Sequence, residues 1–216
     1  MKILCTDQQS EAWYQARLGR VTSSRVADML AKLKNGGEAA GRRNLRVQLV
    51  LERLTQQSQE SGYVSVDMQY GKDREADAFA AYEALTGEVV TRTGFIAHDS
   101  LMAGCSPDGV LGKFDGLIEL KCCKSATHLE YLKTRVVPDE YQKQIWHQLW
   151  ITGAAWCDFV SFDDRFPEAL QLGVDRIYAK DIDLKAHELN VTFFLAEVDR
   201  EYAEVLRLQR PVGVSA

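Results

Sequence analysis

The chain of 216 residues lacks the basic excess that is common in proteins that bind DNA over a broad surface. Lys and Arg number 26 against 31 Asp and Glu, which gives a net charge of −5 at pH 7. Generic DNA-binding domains usually carry the opposite balance. If DNA is a ligand, we expect the basic residues to be concentrated locally, against an acidic background that keeps the rest of the surface off DNA.

The sequence also lacks membrane and metal-cluster signatures. No long apolar run follows the N-terminal MKILCTDQQSEAW, so a signal peptide is not indicated, and no run approaches the roughly 20 residues that cross a bilayer. The five cysteines are odd in number and form no CxxC pair. This pattern argues against a disulfide framework, a zinc site or an iron–sulfur cluster. We therefore expect a cytoplasmic protein with reduced thiols and no membrane association.

Helix signals are strongest in the first third of the chain and at its end. Thr6 or Asp7 can cap a helix through Ala16, and Thr22 or Ser23 can cap another through Lys34. Periodicity and terminal glycines predict further helices at 42–56, 72–86, 139–153 and 182–208.

Strand signals fill the centre of the sequence and recur after the 139–153 helix. The predicted strands are 88–97, 102–105, 110–111, 117–123, 156–162 and 173–178. This order predicts an α/β fold, with one domain over residues 1–216 and a central mixed β-sheet flanked by helices.

The central hairpin, GCSPDGVLGKFDGLIELKCC, contains a possible catalytic centre. Side chains alternate along a strand, so Glu119 and Lys121 share one face and Ile118 and Leu120 share the other. Asp108 lies in a Pro-Asp-Gly bend on the neighbouring strand. Two carboxylates with a backbone carbonyl suit Mg²⁺, and Lys121 could orient or activate a water that attacks a phosphodiester. An exposed Glu–Lys pair on an ordinary hairpin fits the same spacing, which leaves both interpretations open.

A third carboxylate lies in the 72–86 helix. Glu75, Phe79 and Tyr82 fall on one helix face, so Glu75 is expected to point inward with the aromatic rings. A buried charge needs a partner, and a metal, a bound water or Lys121 would provide one. The alternative is that Glu75 lies at the margin of this face and reaches solvent.

Four blocks of the sequence together resemble the phage lambda exonuclease (YqaJ-type) family of viral recombination nucleases. This family belongs to the PD-(D/E)xK superfamily, whose members share a restriction-endonuclease-like core. The blocks follow the family's order: WYQARLGRVTSSR (13–25), GKDREADA (71–78), CSPDG…GLIELKC (105–122) and YQKQIWHQLWITG (141–153).

The resemblance implies a set of catalytic positions. The implied metal ligands are Asp108, Glu119 and the backbone carbonyl of Leu120. The remaining catalytic positions are a lysine, a helix-borne acid that helps to hold a metal-bound water, and an amide beside the scissile phosphate: Lys121, Glu75 and Gln144.

The resemblance also implies a pocket for the 5′-phosphate of DNA, formed by Arg17, Ser24 and Ser106. Ser24 would lie in the first turn of the second predicted helix, where free N–H groups and the helix dipole attract anions. Arg17 could add a bidentate contact to the phosphate.

The activity that the resemblance implies is 5′→3′ digestion of linear double-stranded DNA, which releases mononucleotides and leaves 3′ single-stranded overhangs. It implies two Mg²⁺ ions per active site, with Mn²⁺ as a possible substitute, a homotrimeric ring that threads DNA, and a single-strand annealing protein as partner. The sequence departs from the family at Cys123, where proline is usual. Thr127 and His128 occupy a region where the family has a basic residue, for which Lys124 could substitute.

Two other functions remain open from the sequence. Another nuclease of the same superfamily, such as a restriction-type endonuclease or a Holliday junction resolvase, would use the same Asp108, Glu119 and Lys121. A non-catalytic module that binds DNA ends or a protein would need only the fold, and the presence of all these residues argues against it.

Overall fold

The computed structural model describes residues 1–59 and 65–208. The strands in these ranges are β1 (Lys2–Ile3), β2 (Val21–Thr22), β3 (Ile96–Ala97), β4 (Ala103–Cys105), β5 (Gly109–Leu111), β6 (Gly116–Cys122), β7 (Trp156–Phe162) and β8 (Leu172–Tyr178). The α-helices are α1 (Glu11–Arg17), α2 (Val26–Leu30), α3 (Ala40–Thr55), α4 (Val66–Thr86), α5 (Ser125–Thr134), α6 (Asp139–Thr152) and α7 (Leu184–Arg207).

The central sheet has the strand order β5-β6-β7-β8. Strands β6 and β7 run parallel, and each is antiparallel to its outer neighbour. The pairing of β5 with β6 stops where Gly109 lies opposite Ile118. Beyond Ile118, therefore, the second half of β6 has β7 on one side and no β5 residue on the other.

Two helices cover the faces of this sheet, and the alternation of side chains along β6 decides which residues each helix contacts. Phe79 and Tyr82 of α4 pack in one core cluster with Ile118 and Leu120. On the opposite face, Leu149 of α6 lies in a second cluster that includes residues of β6 and β7. Residues with odd numbers in β6 therefore face α6, and those with even numbers face α4.

A second sheet, of order β1-β3-β4-β2, packs with α2, α3 and α7. Helix α3 fixes the segment between α1 and β2. The Gly19 N–H donates to the buried Glu52 carboxylate (2.9 Å), and Arg53 Nε donates to the Gly19 carbonyl oxygen (3.1 Å). Gly19 has a φ of +65°, and a Cβ atom there would lie 2.5 Å from Arg53 Cγ. This close approach holds the end of α1 against α3.

The prediction of a mixed α/β fold with a helix-flanked sheet is confirmed, although the strands divide into two mixed sheets rather than one. Strand 156–162 is confirmed at both ends, and α6 ends before Gly153, which has a φ of +72° as expected of a helix-terminating glycine. The predicted strand 88–97 is wrong over most of its length, because only Ile96 and Ala97 join a strand.

Both N-terminal helix predictions were wrong in their limits. Helix α1 is capped by Ser10, whose Oγ accepts the Trp13 N–H (3.2 Å). A helix cannot start earlier because Gln9 has a φ of +64°, and the Gln8 side chain bonds the Thr93 and Pro107 carbonyl oxygens (3.0 Å each). The second predicted helix starts after Thr22 as expected, but its first turn is a three-residue 3₁₀ helix (Ser23–Arg25). It continues as the short α2 and ends at Leu30 instead of Lys34.

Helix α4 begins six residues before the predicted position 72, and helix α5 has no counterpart in the predictions. Strand β6 ends at Cys122, the buried Cys123 follows, and α5 begins at Ser125. The chain therefore leaves β6 directly into a helix at the position where the family has proline.

None of the helices in the described ranges is both long enough and apolar enough to cross a bilayer.

Two glycine substitutions should change stability in opposite directions. A Cβ atom on Gly116, at the start of β6, would lie 2.3 Å from the Trp156 ring, so Gly116→Ala should lower the free energy of unfolding by about 1–3 kcal/mol. Gly71 lies inside α4, and the atom nearest to an added Cβ is the Cys122 carbonyl oxygen at 3.9 Å. Gly71→Ala should therefore raise the free energy of unfolding by about 1 kcal/mol, because alanine is the better helix former. Urea denaturation of both variants measures the two effects. A change of the same sign in the free energy of unfolding of both variants would contradict this packing.

Candidate active site

Asp108 is fixed at the open side of β6 by two hydrogen bonds to that strand. Its N–H donates to the Ile118 carbonyl oxygen (3.1 Å), and its Oδ2 accepts the Leu120 N–H (2.7 Å). The N–H and C=O of one strand residue point to the same side. The Leu120 carbonyl therefore faces the side where the Asp108 carboxylate lies.

Glu119 lies on the α6 side of β6, and its side chain is 0 % exposed. The sequence placed Glu119 and Lys121 on one face, which is confirmed, but helix α6 covers that face at Glu119. The Lys121 amino group forms an ion pair with Glu119 Oε1. Gln148 of α6 donates through Nε2 to Glu119 Oε2 (2.5 Å). Each oxygen of the buried carboxylate therefore has its own donor.

Lys121 lies between this buried pair and the accessible surface. Its side chain is 25 % exposed, and Nζ lies 5.3 Å from the centroid of the Tyr141 ring. Burial disfavours the charged amine, but the charges of Glu119 and Asp108 outweigh it and raise the pKa of Lys121. The lysine is therefore positively charged in this arrangement.

The surroundings of the Asp108 carboxyl group disfavour its charged form. Burial, with the negative charge of Glu119 as the next cause, raises the pKa of Asp108 to about 7, while Lys121 and the Leu120 N–H act against this shift. The site thus contains two carboxyl groups and one lysine, so Lys121 alone cannot neutralise both carboxylates when they are ionised.

The donor set fits a hard divalent cation. Asp108 and Glu119 provide carboxylate oxygens and Leu120 provides a carbonyl oxygen, the ligand types that Mg²⁺ prefers. A cation would also relieve the charge imbalance between the two carboxylates and Lys121. Within residues 1–59 and 65–208, no group of three or more His, Cys, Asp or Glu side chains is arranged to hold a metal. The fit therefore depends on the backbone carbonyl together with the two carboxylates.

Glu75 approaches the site from α4, and its negative charge contributes to the raised pKa of Asp108. Its side chain is 33 % exposed and pairs with Arg92, which stacks on the Phe79 ring (3.9 Å). Glu75 thus lies at the margin of the buried face formed by Phe79 and Tyr82. Arg92 is its partner here, whereas Lys121, a partner considered from the sequence, pairs with Glu119.

Gln144 lies one helical turn before Gln148 on α6 and is half-buried. In the described part of the chain its side-chain amide forms no hydrogen bond, so the amide that contacts the carboxylate is Gln148. From the sequence, the i, i+4 spacing of Gln144 and Gln148 on a partly apolar helix face indicates a polar site, but only Gln144 was assigned a role in it.

The implied phosphate-binding residues are only partly brought together. Trp13 donates from Nε1 to Ser106 Oγ (2.8 Å), and the Arg17 guanidinium stacks on the Trp13 ring (4.0 Å). Trp13 thus links Arg17 to the loop that leads into Asp108. Ser24 is exposed in the 3₁₀ helix, and within the described ranges no hydrogen bond joins it to Arg17 or Ser106. The side-chain cap that we expected at Thr22 or Ser23 is not formed: Thr22 is the N-cap residue of the 3₁₀ helix that contains Ser24, but its side chain makes no capping hydrogen bond.

A recess beside Arg17 is also lined by Arg20, Thr22 and Arg25. Burial lowers the pKa of Arg20, and the positive charge of Arg53 lowers it further. The buried Glu52 also lines the recess, and Arg25 pairs with Asp28 (3.0 Å), so the recess combines arginines with acidic groups.

Several basic residues elsewhere in the chain form ion pairs. Arg42 and Arg46 of α3 pair with Glu197 and Glu201 of α7. Lys124, the candidate substitute for a missing basic residue, pairs with Asp67 (2.9 Å).

Thr127 and His128, at the family's basic position, lie in α5. His128 is buried, with Nδ1 2.7 Å from Ser161 Oγ and Nε2 2.8 Å from the Leu170 carbonyl oxygen. These contacts give His128 a structural role.

Comparison with known proteins agrees with the four sequence blocks. The profile of the YqaJ-like viral recombinase domain matches residues 12–155. None of the curated proteins compared matches the chain.

Solved structures extend the likeness to most of the chain. The crystal structure of an alkaline exonuclease (LHK-Exo) from Laribacter hongkongensis is 42% identical, with 92% of this chain and 97% of that chain covered and a TM-score of 0.83. LHK-Exo in complex with dAMP matches with 43% identity, the same coverage and the same TM-score. A phage related exonuclease from Haemophilus somnus 129PT is 13% identical, covers 88% of this chain and 96% of its own, and has a TM-score of 0.62. At that identity the likeness concerns the fold alone.

Asp108 should make the stability of the metal-free protein depend on pH. Its folded-state pKa of about 7 lies above the value of about 3.9 for an unfolded Asp, so its stabilising contribution is present at low pH and is lost as pH rises through about 7. Between about pH 5 and about pH 8, the free energy of unfolding of the wild type should fall by at least about 1 kcal/mol more than that of Asp108→Asn. Chemical denaturation in EDTA at both pH values measures this, with the exposed Asp181→Asn as control. Equal pH dependence of wild type and Asp108→Asn would contradict the environment described for this carboxyl group.

Proposed function

The chain belongs to the YqaJ-like viral recombinase domain family, and we propose that it is a Mg²⁺-dependent exonuclease that digests linear double-stranded DNA from the 5′ end. The observation that carries this proposal is the meeting of Asp108, Glu119 and Lys121 at the open side of β6. Two buried carboxylates beside one lysine suit hydrolysis of a phosphodiester better than they suit a structural role, because buried charge is costly without such a use.

The relatives support both the reaction and its product. LHK-Exo is described as an alkaline exonuclease, and it has been crystallised with dAMP. A deoxynucleoside monophosphate is the product of stepwise digestion. We propose that this chain likewise releases mononucleotides and leaves 3′ single-stranded overhangs for phage-type recombination by single-strand annealing.

In this proposal Asp108, Glu119 and the Leu120 carbonyl hold Mg²⁺, with Mn²⁺ as a possible substitute and two ions per site. When bound, the metal supplies a Lewis acid that polarises the phosphodiester and stabilises the charge on the departing oxygen. The chain's own part is to place the carboxylates rigidly, since Asp108 is tied to the Leu120 N–H and Glu119 is fixed at both oxygens.

Lys121 has the charge and the position to orient the attacking water or a phosphate oxygen. Its amino group bonds Glu119 inside the protein, while part of the side chain reaches the surface. Gln144 is half-buried near the Gln148–Glu119 contact and offers an amide to the scissile phosphate. Glu75 of α4 would accept a hydrogen bond from a water in the site, either while it remains paired with Arg92 or after that ion pair opens.

The direction of digestion depends on how the DNA end is held. Arg17 and Ser106 lie on either side of Trp13, and Ser106 precedes the Pro-Asp pair of the site. A terminal 5′-phosphate bound there, with Ser24 as a further contact, would place the first phosphodiester towards Asp108. The arginine side chains that line the recess beside Arg17 would attract such an anion.

The proposed partners are DNA ends and a single-strand annealing protein. We also propose a homotrimeric ring, in which each copy presents the recess beside Arg17 and its active site to the DNA. This arrangement would reconcile DNA binding with a net charge of −5.

Linear and circular DNA should behave differently with this protein. In Mg²⁺ the wild type should digest a linear duplex, with a 5′ label released as mononucleotide before a 3′ label, and should leave covalently closed circles intact. Lys121→Met and Glu119→Gln should each lower the digestion rate by at least about 100-fold, because each removes a group from the reacting centre. Gel and chromatographic analysis of end-labelled substrates measures both effects.

Lys133→Met is the control, since Lys133 of α5 is exposed and pairs with Glu130 (3.5 Å). Its digestion rate should stay within about twofold of the wild type, as for a surface ion pair. Cleavage of closed circles would favour an endonuclease of the same superfamily. Full activity of Lys121→Met or Glu119→Gln would rule out this site assignment.

The 5′ end of the duplex should control the rate through Arg17. A 5′-phosphorylated duplex should be digested at least about 10-fold faster than a 5′-hydroxyl duplex, because a charge-assisted phosphate contact is worth more than 1 kcal/mol. Arg17→Ala should remove this preference, whereas the exposed Arg43→Ala of α3 should retain it. Equal rates of the wild type on both substrates would contradict the phosphate pocket.

A further inference from the structure

Gln148 is a fully buried polar residue whose amide contacts the candidate active site from within the core. Both Gln148 and Glu119 are 0 % exposed, and Gln148 Nε2 donates to Glu119 Oε2 (2.5 Å). A buried amide is costly unless its hydrogen bonds are made. The neighbouring Ile145 and Leu149 of α6 pack in the core, so Gln148 occupies a position where an apolar residue would otherwise be expected.

The other end of the amide is also held. Cys157 of β7 is buried, and its Sγ lies 4.0 Å from Gln148 Oε1, within reach of a weak S–H donor. The same Sγ lies 3.8 Å from the Asp158 carbonyl oxygen. The amide nitrogen faces the Glu119 carboxylate, because the reversed orientation would place two oxygen acceptors together.

The two oxygens of Glu119 consequently have different surroundings. Oε2 is closed within the core by Gln148, whereas Oε1 bonds Lys121, whose side chain reaches the surface. The terminal torsion of a glutamate side chain is broad, and the Gln148 contact removes this freedom. Only Oε1 remains on the side that Lys121 and Asp108 share.

We propose that Gln148 is a positioning residue that fixes the Glu119 carboxylate so that Oε1, and not Oε2, is the oxygen offered to a divalent cation. This inference rests on the proposed function, since it concerns the metal ligand of the same site. Hydrogen-bond partners of ligating groups typically change metal affinity by about 10–100-fold when they are removed. Gln148 is such a hydrogen-bond partner of Glu119. Because Gln148 is fully buried, it would act on the metal site without contacting DNA.

The test compares the same substitution at two glutamines of α6. Gln148→Met removes the donor to Glu119 with little change in side-chain length. Gln142→Met removes a comparable hydrogen bond, from Gln142 Nε2 to the Val137 carbonyl oxygen (2.7 Å), away from Glu119. Calorimetric titration with Mn²⁺ in the absence of DNA should give a dissociation constant about 10–100-fold higher for Gln148→Met and within about twofold of wild type for Gln142→Met. Digestion by Gln148→Met should recover as the Mg²⁺ concentration is raised, with kcat close to the wild-type value.

An unchanged Mn²⁺ dissociation constant in Gln148→Met, while the wild type binds Mn²⁺ and digests linear DNA, would overturn this inference and leave the proposed function intact. A wild type that neither binds Mn²⁺ nor digests DNA would overturn both. If Gln148→Met does not fold, a crystal structure of the wild type with Mn²⁺ decides the question. The metal on Oε1 with Gln148 still bonded to Oε2 supports the proposal, and a metal on Oε2 contradicts it.

Discussion

The Glu119 carboxylate is a negative charge at a fully buried position, and much of the surrounding structure compensates it. Removing a carboxylate from water costs several kcal/mol, which only close donors can offset. Lys121 supplies a charge to one oxygen and Gln148 supplies an N–H to the other. Because the second donor comes from a helix, this requirement also fixes how α6 lies across the central sheet. The Gln148–Glu119 hydrogen bond thus serves both the site and the packing of α6 against the sheet.

The incomplete pairing of β5 with β6 has an equally direct consequence. A strand paired on both sides along its whole length would have no free backbone groups to offer. Here the pairing ends opposite Ile118, and the next outward-facing N–H, that of Leu120, bonds the Asp108 side chain instead of a strand. The bend at Pro107 and Gly109 allows this substitution. The site therefore lies where the regular pairing of β5 with β6 ends. The helix on each face of the sheet excludes water from the buried half of the site.

Charge is distributed unevenly over this acidic chain. Several arginines that look like a basic cluster in the sequence are neutralised by glutamates of α7, which ties α3 to α7 instead of forming a cationic surface. Arginines also line the recess beside Arg17 at the end of α1, together with the buried Glu52. Trp13 connects this recess to the loop that carries Asp108.

The sequence by itself determined the local part of the site, because strand alternation has a period of two and needs no tertiary information. It placed Glu119 and Lys121 on one face of β6, and the order of its blocks indicated the family. It could not show that α6 covers Glu119, that Gln148 rather than Gln144 reaches the carboxylate, or that Arg92 pairs with Glu75. It also missed α5 and extended the helix after Thr22 beyond Leu30, where the structure ends it. Such contacts join residues far apart in the chain, and only the packing of helices against the sheet selects among them.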